Sequence, residues 1–405
     1  MYTIEHPELT AAIGVAFGEK EDKTIISVSA FTKLVQNISA EVKITNSKHR
    51  EALFSSEEEY NNWIEEHAKD KVKSADVKTV NEKNTFLGID SGSTTTKIVI
   101  IDEEGKVVLR HYRNNNGNPV GAVAEGLTEI KKELEEKNIN INIARTSVTG
   151  YGEDLIKAAF NMDEGIVETM AHYRGAKAFD EKVSFILDIG GQDMKAIFIK
   201  DGIIENIEIN EACSSGCGSF IETFARGMGY KVADFADIAC ESVSPCDLGS
   251  RCTVFMNSKV KQSLREGSSV ADISAGLAKS VTLNCFTKVL KITDTSILGD
   301  NIVVQGGTFK NSAVLRSVEK FLNRKVIRPD ISELMGAYGC ALLSLDTFKV
   351  KNEKTTFIGL DNLQEANDYE RRQLTCKGCE NLCTVTRLKF KDSKSFYTGN
   401  KCERI

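Results

Sequence analysis

The sequence predicts an α/β fold that contains two copies of one structural unit. Residues 87–105, LGIDSGSTTTKIVIIDEEG, and residues 185–202, FILDIGGQDMKAIFIKDG, share one pattern. Each reads as an apolar strand, an Asp, a glycine turn, a Lys seven residues after the Asp, and a second apolar strand. Stretches with helical periodicity at 120–137 and 219–230 follow the two copies. Strands that alternate with helices are typical of α/β domains.

A third glycine turn extends this pattern. Residues 301–322, NIVVQGGTFKNSAVLRSVEKFL, place a double glycine between an apolar strand and an amphipathic helix. We expect the three turns to converge on one ligand. The predicted domains are a linker at 1–85 with a helix at 55–68, a first subdomain at 86–180, a second at 181–345, and a linker with a cysteine-rich tail at 346–405.

Composition excludes two classes of partner. The 405 residues carry 52 Lys and Arg against 58 Asp and Glu, a net charge of −6, without a long basic tract. Proteins that bind nucleic acid usually carry a basic patch, which is missing here. The N-terminus has no apolar signal region, and the apolar runs are too short to span a bilayer. We expect a cytoplasmic protein that binds neither nucleic acid nor a membrane.

The carboxylates of Asp90 and Asp188 end the first strand of each copy, directly before a glycine turn. Such carboxylates can hold a cation, and the backbone N–H groups of a glycine turn can cradle anionic oxygens. We predict that the two turns grip a polyphosphate from opposite sides, with Mg²⁺ held by both aspartates through water. The alternative is that both segments are ordinary hairpins of a sheet.

These segments resemble loops of the superfamily of actin, sugar kinases and heat-shock chaperone ATPases. LGIDSGSTTTK looks like its first phosphate loop, ILDIGGQDMK its second, VVQGGT its adenosine loop, and GAYGCA at 336–341 its connecting helix. The resemblance implies a duplicated fold with ATP in the cleft between its halves. The predicted catalytic residues are Asp90, Asp188 and Gln192, with Gln192 or Asp193 near the γ-phosphate. The residues predicted to bind the nucleotide are Gly88, Ser91, Gly92, Ser93, Thr94, Thr95, Thr96, Lys97, Gly190, Gly191, Asp193, Gly306, Gly307 and Thr308.

Cys213 lies on a Gly and Ser turn at the start of a predicted helix, and Cys252 is preceded by Gly and Ser and followed by an amphipathic run. A thiolate is favoured at a helix start, which suits a metal ligand or a nucleophile. An iron–sulfur cubane takes four cysteines, so two thiols per chain could hold one only at a two-fold interface. That arrangement requires a homodimer.

EACSSGCGSF and, 39 residues after Cys213, RCTVFMNS resemble the cluster-binding segments of a known family. These are the activators of 2-hydroxyacyl-CoA dehydratases and benzoyl-CoA reductases, of the BadF/BadG/BcrA/BcrD type. The resemblance implies that Cys213 and Cys252 bind one [4Fe–4S] cluster across a dimer, and that ATP turnover is coupled to electron transfer. It also implies ferredoxin or flavodoxin as the electron donor and an iron–sulfur dehydratase or reductase as the acceptor.

The opening PELTAAIG at 7–14 echoes PDISELMG at 329–336. We therefore expect residues 1–18 to be the end of a preceding copy of the domain within a longer polypeptide. Together with the linker and the cysteine-rich tail, this echo resembles the second ATPase module of the large activator-family members.

The remaining core cysteines are predicted to be structural. Cys217 lies four residues after Cys213 and is either a spare ligand or, as we favour, an inert buried thiol. Cys240, Cys246, Cys285 and Cys340 have no recurring spacing, and core packing is the better interpretation.

The tail carries Cys376, Cys379, Cys383 and Cys402 in a C-x2-C-x3-C-x18-C pattern. Four thiols with little core around them predict a small metal knuckle. Zinc and a second iron–sulfur cluster both fit thiol-only ligation. The alternative is a reduced, metal-free tail.

Two other functions compete with the activator. A small-molecule or sugar kinase of the same fold would need an Asp general base beside a hydroxyl pocket and would not use Cys213 and Cys252. A nucleotide-dependent scaffold protein would use its cysteines for structural zinc only.

Overall fold

The computed structural model describes residues 51–210, 216–250, 252–390 and 395–399, together with residues 27, 29, 32, 33 and 402. The chain divides into two units, Met1–Glu51 and Ala52–Ile405, and the second unit carries the architecture described below. The echo at 7–14 and Cys213 lie outside the described residues. Among the described helices, none is both long and apolar enough to cross a membrane.

The first lobe is built on a five-stranded sheet with the order β3-β2-β1-β4-β5. Strand β1 pairs antiparallel with β2 and parallel with β4, and Asp90 lies directly opposite Lys97 in the β1–β2 hairpin. Seven of the eight β1 residues are buried, as expected for a central strand. The strands are β1 Asn84–Ser91, β2 Thr95–Ile101, β3 Val107–Asn114, β4 Asn142–Thr149 and β5 Glu164–Gly165. The helices are α2 Pro119–Glu136, α3 Glu153–Phe160 and α4 Glu168–Lys177.

The second lobe repeats this topology with a four-stranded sheet of order β8-β7-β6-β9. Strand β6 pairs antiparallel with β7 and parallel with β9, and Asp188 lies directly opposite Lys195. The predicted duplication is therefore confirmed down to the register of its Asp and Lys. The strands are β6 Phe185–Ile189, β7 Met194–Lys200, β8 Ile203–Asn210 and β9 Ile302–Gln305. The helices are α5 Gly218–Gly227, α6 Val232–Cys240, α7 Thr253–Arg265, α8 Val270–Leu283, α9 Ser312–Leu322 and α10 Met335–Lys351.

Short polar signals set the helix ends. Helix α2 begins at Pro119, and the Asn118 side chain caps it by accepting from the N–H of Gly121. Helix α9 begins where the Asn311 side chain accepts from Ala313 and Val314 N–H, and its C-cap residue Asn323 has the left-handed conformation. The third glycine turn, between β9 and α9, thus connects a strand to a helix as predicted.

Residues 52–83 form a strap that packs on both lobes, which differs from the expectation of a linker. Its helix α1, Glu57–His67, is capped by Ser56, as the capping signal predicts. Trp63 of α1 joins the apolar core of the second lobe, and Val80 joins a core of the first lobe. This packing was difficult to predict because the strap contains few apolar side chains among many Lys and Glu residues.

The segment after α10 packs on the first lobe. Phe357 and Leu363 are buried in the core that contains helices α2 and α3. Asp163 accepts hydrogen bonds from the N–H and hydroxyl groups of Thr356. A small antiparallel sheet follows, with the order β10-β11-β12. Its strands are β10 Tyr369–Thr375, β11 Thr384–Phe390 and β12 Ser395–Thr398.

Candidate functional site

A cleft of about 550 Å³ lies between the β1–β2 and β6–β7 hairpins. This volume is in the range of small-molecule and cofactor sites. Both hairpin aspartates line it, together with glycine-rich backbone from all three predicted turns. The cleft is lined by Asp90, Gly92, Ser93, Thr94, Thr95, Lys97, Tyr112, Asn114, Asn116, Gly117, Tyr151, Glu168, His172, Asp188, Gly190, Gly191, Gln192, Asp193, Ser219, Glu222, Arg226, Gly306, Gly307, Ser332 and Glu333.

In the first hairpin, Asp90 is buried and bound to a lysine. Lys97 Nζ donates to Asp90 Oδ2 at 3.0 Å. Burial lowers the pKa of Lys97, but the Asp90 carboxylate outweighs this effect and raises the pKa, so the ammonium stays charged. The pair presents a fixed carboxylate and a fixed cation at one wall of the cleft.

In the second hairpin, Asp188 belongs to a buried network. His172 Nε2 lies 3.8 Å from Asp188 Oδ2 and 3.4 Å from Glu168 Oε1. Lys195 Nζ lies 3.1 Å from Glu168 Oε1 and also contacts Asp193. Gln305 Nε2 lies 2.7 Å from His172 Nδ1. Several ionisable groups are therefore held at the second wall in one fixed geometry.

The charges of this network follow from its contacts. Burial raises the pKa of Glu168, but the hydrogen bond from His172 and the charges of His172 and Lys195 outweigh it and bring the pKa to about 2. Burial lowers the pKa of His172, and the carboxylates of Asp188 and Glu168 outweigh it and raise the pKa. Burial also raises the pKa of Asp188. Buried carboxylates are stabilised by a cation, so the two aspartates fit Mg²⁺, which prefers oxygen ligands.

The glycine turns leave room for a ligand beside the backbone. A Cβ added at Gly191 or Gly307 would meet nothing within 4 Å. Gly306 has a φ of 94°, and a Cβ there would lie 2.8 Å from Asp188 Oδ1. Only glycine therefore allows the third turn to approach the second aspartate so closely.

The second turn is hydrogen-bonded to the start of helix α5. Gly218 N–H donates to the carbonyl of Gly190 at 3.0 Å, and Ser219 N–H donates to that of Gly191 at 2.8 Å. The Thr308 hydroxyl donates to the same Gly190 carbonyl at 3.0 Å. In the sequence, Cys213 lies five residues before the first residue of α5.

The predicted site residues fall into two groups. All three predicted catalytic residues and most of the predicted nucleotide-binding residues line the cleft. Four others, Gly88, Ser91, Thr96 and Thr308, are not among the residues that line it. Gly88 packs on α10, where an added Cβ would lie 2.0 Å from Ala337 O. Ser91 and Thr96 are buried, and Thr308 supports Gly190.

Sequence reasoning missed the helix that completes the second wall. Glu168 and His172 lie on α4, before the repeated motif, and they are spaced i,i+4. That spacing places both side chains on one helix face and was the available signal. The same reasoning also missed Glu222 and Arg226 of α5, which line the cleft.

The structure describes one of the two predicted cluster ligands. Cys252 is exposed at the N-terminus of α7, and its side chain makes no capping hydrogen bond. Cys217 is fully buried in the core of the second lobe, in agreement with the structural interpretation. Burial raises the pKa of Cys240 to about 12 and also raises the pKa values of Cys285 and Cys340, so these thiols stay protonated.

Within the part of the chain that the structure describes, no three Cys, His, Asp or Glu side chains form a ready metal group. The predicted shared cluster takes two thiols from each protomer, those of Cys213 and Cys252, and Cys213 lies outside the described residues. An exposed thiol at a helix start fits one ligand position of such a cluster.

The duplicated sheets, the paired Asp–Lys hairpins and the three glycine turns define a nucleotide-cleft protein with the fold of actin, sugar kinases and heat-shock chaperone ATPases. Residues 87–344 match the BadF/BadG/BcrA/BcrD ATPase family, and the chain belongs to this family.

Two relatives and one solved structure illustrate the match. The chain is 30% identical over 256 residues to the (R)-2-hydroxyglutaryl-CoA dehydratase activating ATPase of Acidaminococcus fermentans, covering 63% of this chain and 95% of that protein. It is 31% identical over 266 residues to the 2-hydroxyisocaproyl-CoA dehydratase activator of Clostridioides difficile, covering 65% and 96%. The structure of the activator of 2-hydroxyisocaproyl-CoA dehydratase from Clostridium difficile with bound ADPNP aligns with a TM-score of 0.59 and 29% identity, covering 66% of this chain and 97% of that one.

Proposed function

We propose that this chain is an ATP-hydrolysing electron-transfer activator that reduces a partner iron–sulfur enzyme of the 2-hydroxyacyl-CoA dehydratase or benzoyl-CoA reductase type. The observation that carries the proposal is the direct hydrogen bonding between the second phosphate turn and helix α5, which follows the Cys213 segment. A site for ATP and a site for an electron carrier are then mechanically connected. The names of the related activators support the same function.

The cleft residues divide the work of binding and hydrolysis. The open backbone at Gly191 and Gly307 would receive phosphate oxygens and adenosine, respectively. Asp90 and Asp188 would hold Mg²⁺ through water, and Lys97 and Lys195 would fix the orientation of the carboxylates around them.

Hydrolysis then needs a water positioned in line with the γ-phosphate. Gln192 is exposed at the cleft and can orient this water by hydrogen bonding. The water oxygen forms the new bond to phosphorus, and the bond to the β–γ bridging oxygen breaks, which yields ADP and phosphate.

Coupling follows from the contacts of Gly190 and Gly191. A shift of this turn on nucleotide binding moves its two carbonyls, and the N–H groups of Gly218 and Ser219 must follow or lose their partners. Helix α5 also contributes Glu222 and Arg226 to the cleft wall. Helix α5 would therefore sense the nucleotide along most of its length, and Cys213 lies five residues before its start in the sequence.

The electron-transfer site would be completed by a second copy of the chain. Cys213 and Cys252 from each protomer would supply the four thiolates that a [4Fe–4S] cluster requires, and the cluster would supply one-electron transfer at low potential. Ferredoxin or flavodoxin would donate the electron. ATP can favour transfer only by binding the closed dimer more tightly than the open dimer.

The first experiment is electron paramagnetic resonance of the anaerobically reconstituted, dithionite-reduced protein with and without MgATP. We expect a reduced-cluster signal that MgATP changes and that Cys252→Ala abolishes. Cys240→Ser is the matched control, because the Cys240 thiol donates to Ala236 O in its own helix and a hydroxyl can take over this bond. A folded, ATP-binding protein without this signal would leave the kinase or the zinc scaffold as the function.

A further inference from the structure

The cysteine-rich hairpin lies outside the family match and outside the proposed electron-transfer site. The family match ends at residue 344, whereas strands β10 and β11 span residues 369–390. Their ladder pairs Thr375 with Thr384, and the hairpin loop follows directly. The loop therefore starts and ends with a cysteine, Cys376 and Cys383.

These two cysteines are held opposite each other. Cys376 N–H donates to the carbonyl of Cys383 at 2.8 Å, which continues the ladder by one pair. Residues directly opposite in an antiparallel pair carry their side chains on the same face, with Cβ atoms roughly 5 Å apart. The two sulfurs can therefore approach each other without any movement of the strands.

The loop between them has the turn geometry of a thiolate ligand. Gly378 N–H lies 3.4 Å from Cys376 Sγ, so the backbone turns around the sulfur and donates to it. Such a bond stabilises negative charge on sulfur. Cys379 follows at the next position and is exposed, and Leu382 has a φ of 42°, which brings the chain back to Cys383.

We propose that Cys376, Cys379 and Cys383 bind a single tetrahedral metal ion of the Zn²⁺ class, with Cys402 as the fourth ligand. Sulfurs around one zinc are about 3.8 Å apart, given Zn–S bonds of about 2.3 Å. The opposed pair Cys376 and Cys383 suits that spacing. A cubane cluster attaches each thiolate to a different iron and needs wider separation, so the hairpin favours one ion.

The ion would replace a missing core at this end of the hairpin. All seven residues of β10 and the whole of 377–382 are exposed. Among the described residues no three potential ligands have converged, so the loop tightens when the metal binds. Metal binding of this kind supplies folding free energy to small elements that lack apolar burial.

The test is the metal content of the full-length protein purified in the presence of zinc and measured by inductively coupled plasma mass spectrometry. We expect about one tightly held zinc per chain, lost in Cys379→Ser and retained in Cys240→Ser. Cys252→Ala should also retain it, which separates this site from the proposed cluster. A thiolate-to-Co²⁺ absorption spectrum typical of tetrahedral coordination is expected for the cobalt-loaded wild type. This measurement uses the wild-type protein, so it does not depend on whether a cysteine variant folds.

Three outcomes overturn the proposal. One is zinc that Cys379→Ser does not reduce. Another is iron with inorganic sulfide in Cys252→Ala, which would mean a second cluster. The third is a Cys376–Cys383 disulfide found by mass spectrometry in protein kept reduced, with no cobalt spectrum. Loss of the cluster signal alone would affect the proposed function and leave this site unchanged.

Discussion

Replacing Glu319 by Gln should release the strap from the second lobe. Glu319 lies on α9 and is 4% exposed. Its Oε2 accepts from Trp63 Nε1 at 2.5 Å, and its Oε1 lies 3.0 Å from His67 Nε2. Arg316 Nη1 lies 3.3 Å from the same carboxylate. The substitution keeps the shape of the side chain and removes the charge that these three donors share.

The cost can be estimated from the burial of these groups. Removing one partner of a buried ion pair typically costs about 3–5 kcal/mol. His67 can lose its proton in the variant, which avoids leaving a buried charge unpaired, so we expect about 2–3 kcal/mol. For a slope of roughly 2–3 kcal/mol per molar urea, the unfolding midpoint should fall by about 1 M.

The same contacts predict a pH dependence. Burial lowers the pKa of His67, but the nearby carboxylates of Asp70 and Glu319 outweigh it and raise the pKa above its usual value. This stabilisation is complete below pH of about 6.5, the pKa of an unfolded histidine, and is lost as pH rises through the folded pKa. Glu319→Gln should remove most of this dependence.

Trp63 is the only tryptophan in the chain, so its fluorescence reports directly on strap docking. Urea titrations at pH 6 and pH 8.5 would follow it. The control is Glu66→Gln on the same helix, because Glu66 forms an exposed pair with Lys325 and should change stability by less than about 0.5 kcal/mol. Equal midpoints for Glu319→Gln and Glu66→Gln would refute the reasoning.

Three further substitutions test packing, the cleft and the buried network. In thermal unfolding, Gly88→Ala should lower the stability of the protein by about 3 kcal/mol or more, because the added Cβ would lie 2.0 Å from Ala337 O. Its control is Gly227→Ala, which should be neutral or slightly stabilising because the added Cβ would meet nothing within 4 Å. Gly191→Ala should leave the melting temperature unchanged and weaken MgATP binding at least about tenfold by calorimetry, since its Cβ would point into open cleft space. The pKa of Glu168 is lowered to about 2, so its contribution to stability is complete above pH of about 4.5 and is lost as pH falls toward 2. Glu168→Gln should therefore reduce the pH dependence of the free energy of unfolding over that range.

The fold and the cleft were largely predictable because their signals are local in sequence. Each Asp lies seven residues before its Lys, which fixes a tight hairpin with the two residues opposite each other. The glycine turn of each hairpin then lies between the two strands, where the chain reverses direction. Two such hairpins in one chain are sufficient to predict a duplicated fold.

The second wall was not predictable in the same way. His172 meets Asp188 and Gln305 only after the lobes have formed, and the latter contact spans 133 residues. Gly88 belongs to the predicted motif, but its lack of a side chain allows β1 to pack closely on α10. Motif membership identifies the region of a site, whereas long-range packing decides which side chains face the ligand.

The strap offers a last prediction that concerns motion of the cleft. Within a few residues it changes partners from the second lobe to the first: Asp330 N–H donates to Asp70 O at 3.0 Å, and Val107 N–H donates to Lys73 O at 2.8 Å. Opening that separates residue 330 from residue 107 must break one of these bonds. Trp63 and His67 hold α1 in the second lobe, so the break should fall at Lys73.

Amide hydrogen exchange can detect that break. Exchange at Val107 and Ala75 should slow when MgATP closes the cleft, because Ala75 N–H also donates to Val107 O, at 3.0 Å. Exchange within the buried helix α8, none of whose residues lines the cleft, should stay unchanged and serves as the internal control. MgATP could instead slow exchange in the glycine turns but not at Val107. The lobes would then close without a change in the hydrogen bonds of the strap, and the strap would only stabilise the fold.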